Sequence, residues 1–139
     1  MFLPPGSRAL AAATALIVVQ AAPGLAKEPP GRTTRDRIYS AEQAERGKEV
    51  YKKSCAPCHA LDFYSGSTMK SWDGGSLSDL YAAISTLMPQ ANPGSLKRRE
   101  YLEILAYILS LNGMPAGGEE LPTGAADLKP IRIKWRTKP

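Results

Sequence analysis

Two cysteines and one histidine are all that this chain has of the side chains that most often hold metals or perform covalent chemistry. Two cysteines cannot build a disulfide scaffold or a four-cysteine metal site. One histidine cannot supply a two-histidine zinc site, a facial triad or a heme iron bound by two histidines. Long apolar runs are lacking too. Ala9–Val19 spans 11 residues and is interrupted by Thr14, whereas a membrane helix needs about 20. What remains is an ordinary globular composition: 139 residues, 43% hydrophobic, 22% charged, net charge +5. That length allows one domain. Twelve glycines and twelve prolines predict short helices and many loops.

The first 26 residues read as an export signal. Arg8 is the only charge there, the apolar run follows it, and small residues stand at Gly24 and Ala26. That order is a secretory signal peptide over 1–26, cleaved after about Ala26. The mature chain, Lys27–Pro139, then carries no membrane span. Residues 27–39 read as a polar, mobile arm.

Ser40 with Gln43 three positions on forms a capping-box pattern, which predicts a helix over Ala41–Lys53. Residues 62–75 read as a loop. Ser76 caps a second helix over about Leu77–Thr86, ended by Met88-Pro89. Ser95 caps a third, through about Leu111, before Asn112-Gly113 stops it. This third helix is apolar on nearly every face from Tyr101 to Leu111. It is too short to span a bilayer and must be wrapped, in part by a large apolar cofactor. The tail 122–139 is extended and basic. In Ile131-Arg132-Ile133-Lys134-Trp135 apolar and basic residues alternate, as in a strand with one packed face and Trp135 as its anchor.

Cys55-Ala56-Pro57-Cys58-His59 carries the chemistry. Two thiols three positions apart can each add across a vinyl group of one heme, and the next residue offers its imidazole to the iron. That is the c-type heme attachment pattern. A thioredoxin-like redox pair needs a βαβ setting, which is absent; half a zinc site lacks its other half; a plain disulfide leaves His59 without a purpose. The second axial ligand must come from Met69, Met88 or Met114 unless the sixth position is open. Met88 is the choice made here, because Pro89 and the Pro93-Gly94 turn would hold its sulfur rigidly. Met69 and Met114 then pack in the core.

With these residues in hand, the chain resembles the class I c-type cytochromes. The resemblance rests on Gly47 and Tyr51 before the CxxCH motif, then Met88-Pro89, then Ile104 and Tyr107. The stretch from Trp72-Asp73-Gly74-Gly75 through Asn112-Gly113 is similar to small periplasmic monoheme cytochromes associated with quinoprotein and other periplasmic dehydrogenases. It covers roughly Ser40–Leu121. The resemblance implies an all-α fold, three to four helices around one covalent heme c. The cytochrome c domain would span 40–121, with Gly47 letting the first and last helices cross over Tyr51, Ile104 and Tyr107. It also implies cofactor-binding roles for Cys55, Cys58, His59 and Met88, with His59 and Met88 on the metal. Tyr64 and Trp72 either line the heme pocket or pack in the core.

The function implied is single-electron transfer in the periplasm, from a dehydrogenase to a downstream cytochrome or oxidase, and no enzyme activity of its own. The alternatives are a tightly bound cytochrome subunit of a dehydrogenase complex, or a catalytic heme with an open sixth site. The third helix opens on Lys97, Arg98 and Arg99, where acids suit the helix dipole better. With Lys52 and Lys53 these form a candidate docking ring for an acidic redox partner. An exported protein has no use for its basic tail on nucleic acid.

Overall fold

The computed structural model describes residues 31–135. The expected signal peptide at 1–26, residues 27–30 of the arm and residues 136–139 of the tail lie outside the described residues. The helices are α1 (Ala41–Ser54), α2 (Ser67–Lys70), α3 (Leu77–Leu87), α4 (Arg98–Leu111) and α5 (Ala125–Leu128). Among the described residues there are three isolated β-bridges and no strand. This is the small all-α cytochrome c fold.

α1 begins as expected. The Ser40 hydroxyl accepts from the Gln43 amide at 3.1 Å. Gln43 does not complete the capping box by reaching back. Its side-chain oxygen instead accepts from the Leu121 amide at 2.9 Å, tying a distant segment to the start of the helix. α4 departs from expectation. It starts at Arg98 rather than just after Ser95, and its cap works in reverse: the Glu100 carboxylate accepts from the Lys97 amide at 2.7 Å. Residues 62–75 are not wholly loop, because one helical turn, α2, buries Met69.

α1 and α4 cross at Gly47, where a Cβ atom would stand 1.8 Å from the Glu103 carbonyl oxygen and 3.0 Å from the Ile104 nitrogen. Only glycine permits that approach. Around the crossing, the Tyr51 ring meets Tyr107 edge-on at 5.4 Å. Glu103, buried to 5% exposure, accepts from Arg46 of α1 at 2.7 Å and from Arg99 of α4 at 3.0 Å.

α4 is buried from Tyr101 to Leu109 without a break. Its wrapping is mostly protein. The segments expected as arm and tail supply Ile38, Tyr39, Leu128, Ile131 and Ile133, all buried in one cluster with the helices. The described part of the arm is therefore packed, not mobile. Ile133 exchanges backbone hydrogen bonds with Gly74 and Gly75, and Arg132 does so with Arg32 and Thr34, all at 2.8–2.9 Å. The alternation expected in the tail is realised: Ile131 and Ile133 face inward while Arg132 and Lys134 are exposed. Trp135 packs against the core, and its amide donates to Asp73 at 2.7 Å.

Gly47→Ala forces the two helices apart and lowers the stability of the heme-loaded protein by about 1–3 kcal/mol. Urea unfolding measures it, and a wild-type midpoint would mean that the crossing tolerates a methyl group.

Candidate heme site

α1 delivers the CxxCH motif at its C-terminus. The Cys55 amide still donates to the Tyr51 carbonyl at 2.8 Å, and the chain then turns tightly, with the His59 amide donating to the Cys55 carbonyl at 2.8 Å. That turn brings both thiols and the imidazole to one side of the helix end. Cys55 is buried and Cys58 exposed. Burial pushes the Cys55 thiol up to about 11. The His59 ring lies 4.3 Å from the Phe63 ring and 5.6 Å from the edge of Tyr64.

α3 delivers Met88. Its amide closes the helix by donating to Ile84 at 3.1 Å, and the following loop folds back so that the Gly94 amide donates to the Met88 carbonyl at 3.3 Å. Gly94 holds a φ of +75°, a conformation open mainly to glycine. Met69 and Met114 are buried at 0% and 3% exposure, well packed as core residues, while Met88 is only partly buried.

Cys55, Cys58, His59 and Met88 line one cavity of about 440 Å³, with Ser54, Pro57, Pro89, Gln90 and Ala91. Met88 also lines a second cavity of about 200 Å³, whose walls include Phe63, Tyr64, Trp72, Leu80, Ile84 and Leu87. Tyr64 and Trp72 line this second cavity and also pack with the core. Phe63 and Leu87 are exposed at 45% and 61%, high values for large apolar side chains that line a concave site. Sequence reasoning passed over these two, and over Leu80 and Ile84. The signal was available in the helical spacing of Leu80, Ile84 and Leu87, which is one apolar face of α3. The residues lining these two cavities come from α3, the end of α1 and the loops, while α1, the arm and the tail pack with α4 in the core.

The donor set fits heme c: two thiols, an imidazole and a thioether line one cavity, and Met88 also lines a second one walled mainly by apolar side chains.

Residues 42–108 match the family model described as cytochrome c oxidase, cbb3-type, subunit III. The match spans just under half of the chain and includes the CxxCH motif, Met88 and most of α4. No curated protein and no solved structure matches the chain significantly. The family model supports a c-type cytochrome domain and heme-based electron transfer, and with the two cysteines of the CxxCH motif it implies a covalently bound heme c. Among the described residues no helix is long and apolar enough to cross a membrane.

In the heme-loaded protein, heme is expected to stay with the chain through a denaturing gel. Cys55→Ala/Cys58→Ala is expected to lose all covalent heme stain, and persistence of stain in that variant would refute the attachment site.

Proposed function

We propose that the protein is a periplasmic single-electron carrier. Cys55 and Cys58 tether one heme c, and His59 and Met88 take its two axial positions. The observation that carries this is a single cavity lined by all four residues. Heme c, when bound, supplies a one-electron couple at iron. The chain's own residues set the terms of that couple. A thioether is a soft, neutral ligand and favours the ferrous state over a second imidazole. Phe63, Leu80, Ile84 and Leu87 offer an apolar lining that excludes water and lowers the local dielectric. With His59 committed to the metal, no other histidine is left to move protons, which favours transfer of electrons over catalysis.

Electrons would enter and leave where the cavity opens, beside the exposed Pro57, Cys58, Gln90 and Ala91. The donor is a periplasmic dehydrogenase with an acidic docking surface, and the acceptor a downstream cytochrome or oxidase. The export signal and the net charge of +5 support this. The basic ring is narrower than the sequence implies. Arg98 donates to the Thr123 carbonyl and lies over the Tyr81 ring at 5.2 Å, and Arg99 pairs with Glu103. Lys52 pairs with Glu49 on the surface. Lys53 and Lys97 are exposed and join no ion pair among the described residues.

A second reading, a heme subunit held permanently in a respiratory complex, is favoured by the family model's description, which names an oxidase subunit. Size-exclusion of the native protein separates a free carrier from a subunit.

Met88→Ala is expected to abolish the weak long-wavelength absorption band of the ferric iron–methionine bond and to lower the reduction potential. A band that survives in Met88→Ala sinks the axial assignment. Reduction by the physiological donor is expected to slow as ionic strength rises, with Lys53→Glu and Lys97→Glu weakening that dependence. A rate indifferent to salt would remove the acidic partner.

A further inference from the structure

Two buried tyrosine hydroxyls reach the backbone of the two residues named as axial ligands. Tyr51 of α1 is fully buried, and its hydroxyl donates to the His59 carbonyl at 3.0 Å, with the Ala60 carbonyl at 3.4 Å. Tyr101 of α4 is 3% exposed, and its hydroxyl donates to the Met88 carbonyl at 2.7 Å while facing the Leu96 amide at 3.4 Å. A phenyl ring would fill either space as well, so packing alone does not call for the oxygen. A hydroxyl placed in the core must find a partner. In both cases the partner is the carbonyl of a candidate ligand residue, reached across eight and thirteen positions of sequence.

The rings themselves are held. Tyr51 is fixed edge-on between Tyr64 at 6.1 Å and Tyr107 at 5.4 Å. Tyr101 stands in the first turns of α4, just after the cap that Glu100 makes. The carriers of the two hydroxyls, α1 and α4, are locked together at Gly47. A hydrogen bond in a low-dielectric interior between two fixed groups resists displacement. It fixes the peptide plane from which the ligand side chain springs.

We propose that Tyr51 and Tyr101 are positioning residues for the two axial ligands, one for His59 and one for Met88, so that the helix crossing sets the strength of both axial bonds. This rests on the reading of His59 and Met88 as ligands. Neither hydroxyl touches an imidazole or a thioether. Each acts by restraining the backbone one residue's length away, as the outer partners of metal ligands do elsewhere.

The test uses heme-loaded protein with Tyr51→Phe, Tyr101→Phe, Tyr107→Phe and Met88→Ala. The readouts are the iron–methionine band, the reduction potential and the affinity of the ferric protein for added imidazole. Tyr101→Phe is expected to weaken the band, lower the potential and raise imidazole affinity by about tenfold or more. Tyr51→Phe is expected to keep the band and shift the potential. Tyr107→Phe, which removes a hydroxyl from the same aromatic cluster without touching a ligand carbonyl, is expected to leave all three readouts at wild-type values. The proposal is overturned if Tyr51→Phe and Tyr101→Phe change only the melting temperature. Loss of the band in Met88→Ala together with an unaltered Tyr101→Phe would retain the ligand and reject the positioning. A band retained in Met88→Ala would reject the ligand itself. Should Tyr101→Phe not accumulate with heme, 3-fluorotyrosine at position 101 keeps the ring and makes the hydroxyl a stronger donor. It is expected to lower imidazole affinity, and an unchanged affinity overturns the proposal equally.

Discussion

The contact of two backbones at Gly47 organises the molecule. With a Cβ atom there only 1.8 Å from the Glu103 oxygen, α1 and α4 approach as closely as main chains can. The same Glu103 whose carbonyl fills the notch also sends its carboxylate to Arg46 of α1 and Arg99 of α4. One residue therefore fixes the crossing twice, by shape through its carbonyl and by charge through its side chain. From the crossing the two helices diverge to the site. α1 ends at the CxxCH turn, and α4 begins beneath the Met88 loop. A change in the crossing would be felt at both walls of the cavity.

The protein solves its shortage of core in two compartments. The first is polypeptide alone: α4 is closed in by α1, by Ile38 and Tyr39 of the arm, and by Leu128, Ile131 and Ile133 of the tail. The second is the apolar cavity between α3, the loop around Phe63 and Tyr64, and the motif. Tyr64 belongs to both, buried with the first and lining the second, and Met69 is buried in the first between Thr68 and Trp72 of the same chain stretch that line the second. The division matters energetically, because a chain this small buries only part of its surface. The arm and tail enlarge the helical core, so the cofactor need not supply it. A bound heme would instead cover the exposed apolar faces of Phe63 and Leu87.

Much of the site was legible in the sequence because it is written locally. The CxxCH spacing, the Met88-Pro89 helix end and the glycine before Tyr51 are short-range patterns with direct physical meaning, and the structure gathers the first two around one cavity. What escaped was nonlocal. Gln43 has the right spacing for a capping box, yet its oxygen serves Leu121, 78 residues away. Residues 33–39 are polar on average, but Tyr39 finds its partners at Met114 and Gly117 and Thr34 at Arg132 of the tail, far along the chain. Ser95 is a good cap residue in isolation. It lost the role because a carboxylate at Glu100 can close the helix from inside, and that choice moves the start to Arg98. The tyrosine bonds to the ligand carbonyls leave no periodic trace at all, since eight and thirteen residues match neither helix nor strand repeat.

The basic start of α4 is the clearest case of a sequence signal whose meaning changes with geometry. Three cations at a helix N-terminus oppose its dipole. Read as a run, they suggest a surface for an acidic partner. Resolved one by one, they separate into different tasks. Arg98 turns to the Thr123 carbonyl and the Tyr81 ring, joining the chain beyond α4 to α3. Arg99 turns along its own helix to Glu103 and so to the crossing. Of the three, Lys97 is exposed and its side chain has neither an ion pair, a hydrogen bond nor a ring partner among the described residues, and Glu100 takes its amide rather than its charge. The dipole's objection is met by that carboxylate in the first turn. Two of the three cations are thus spent on holding the fold, which leaves Lys97, and Lys53 beside the CxxCH motif, as exposed cations without an ion pair among the described residues.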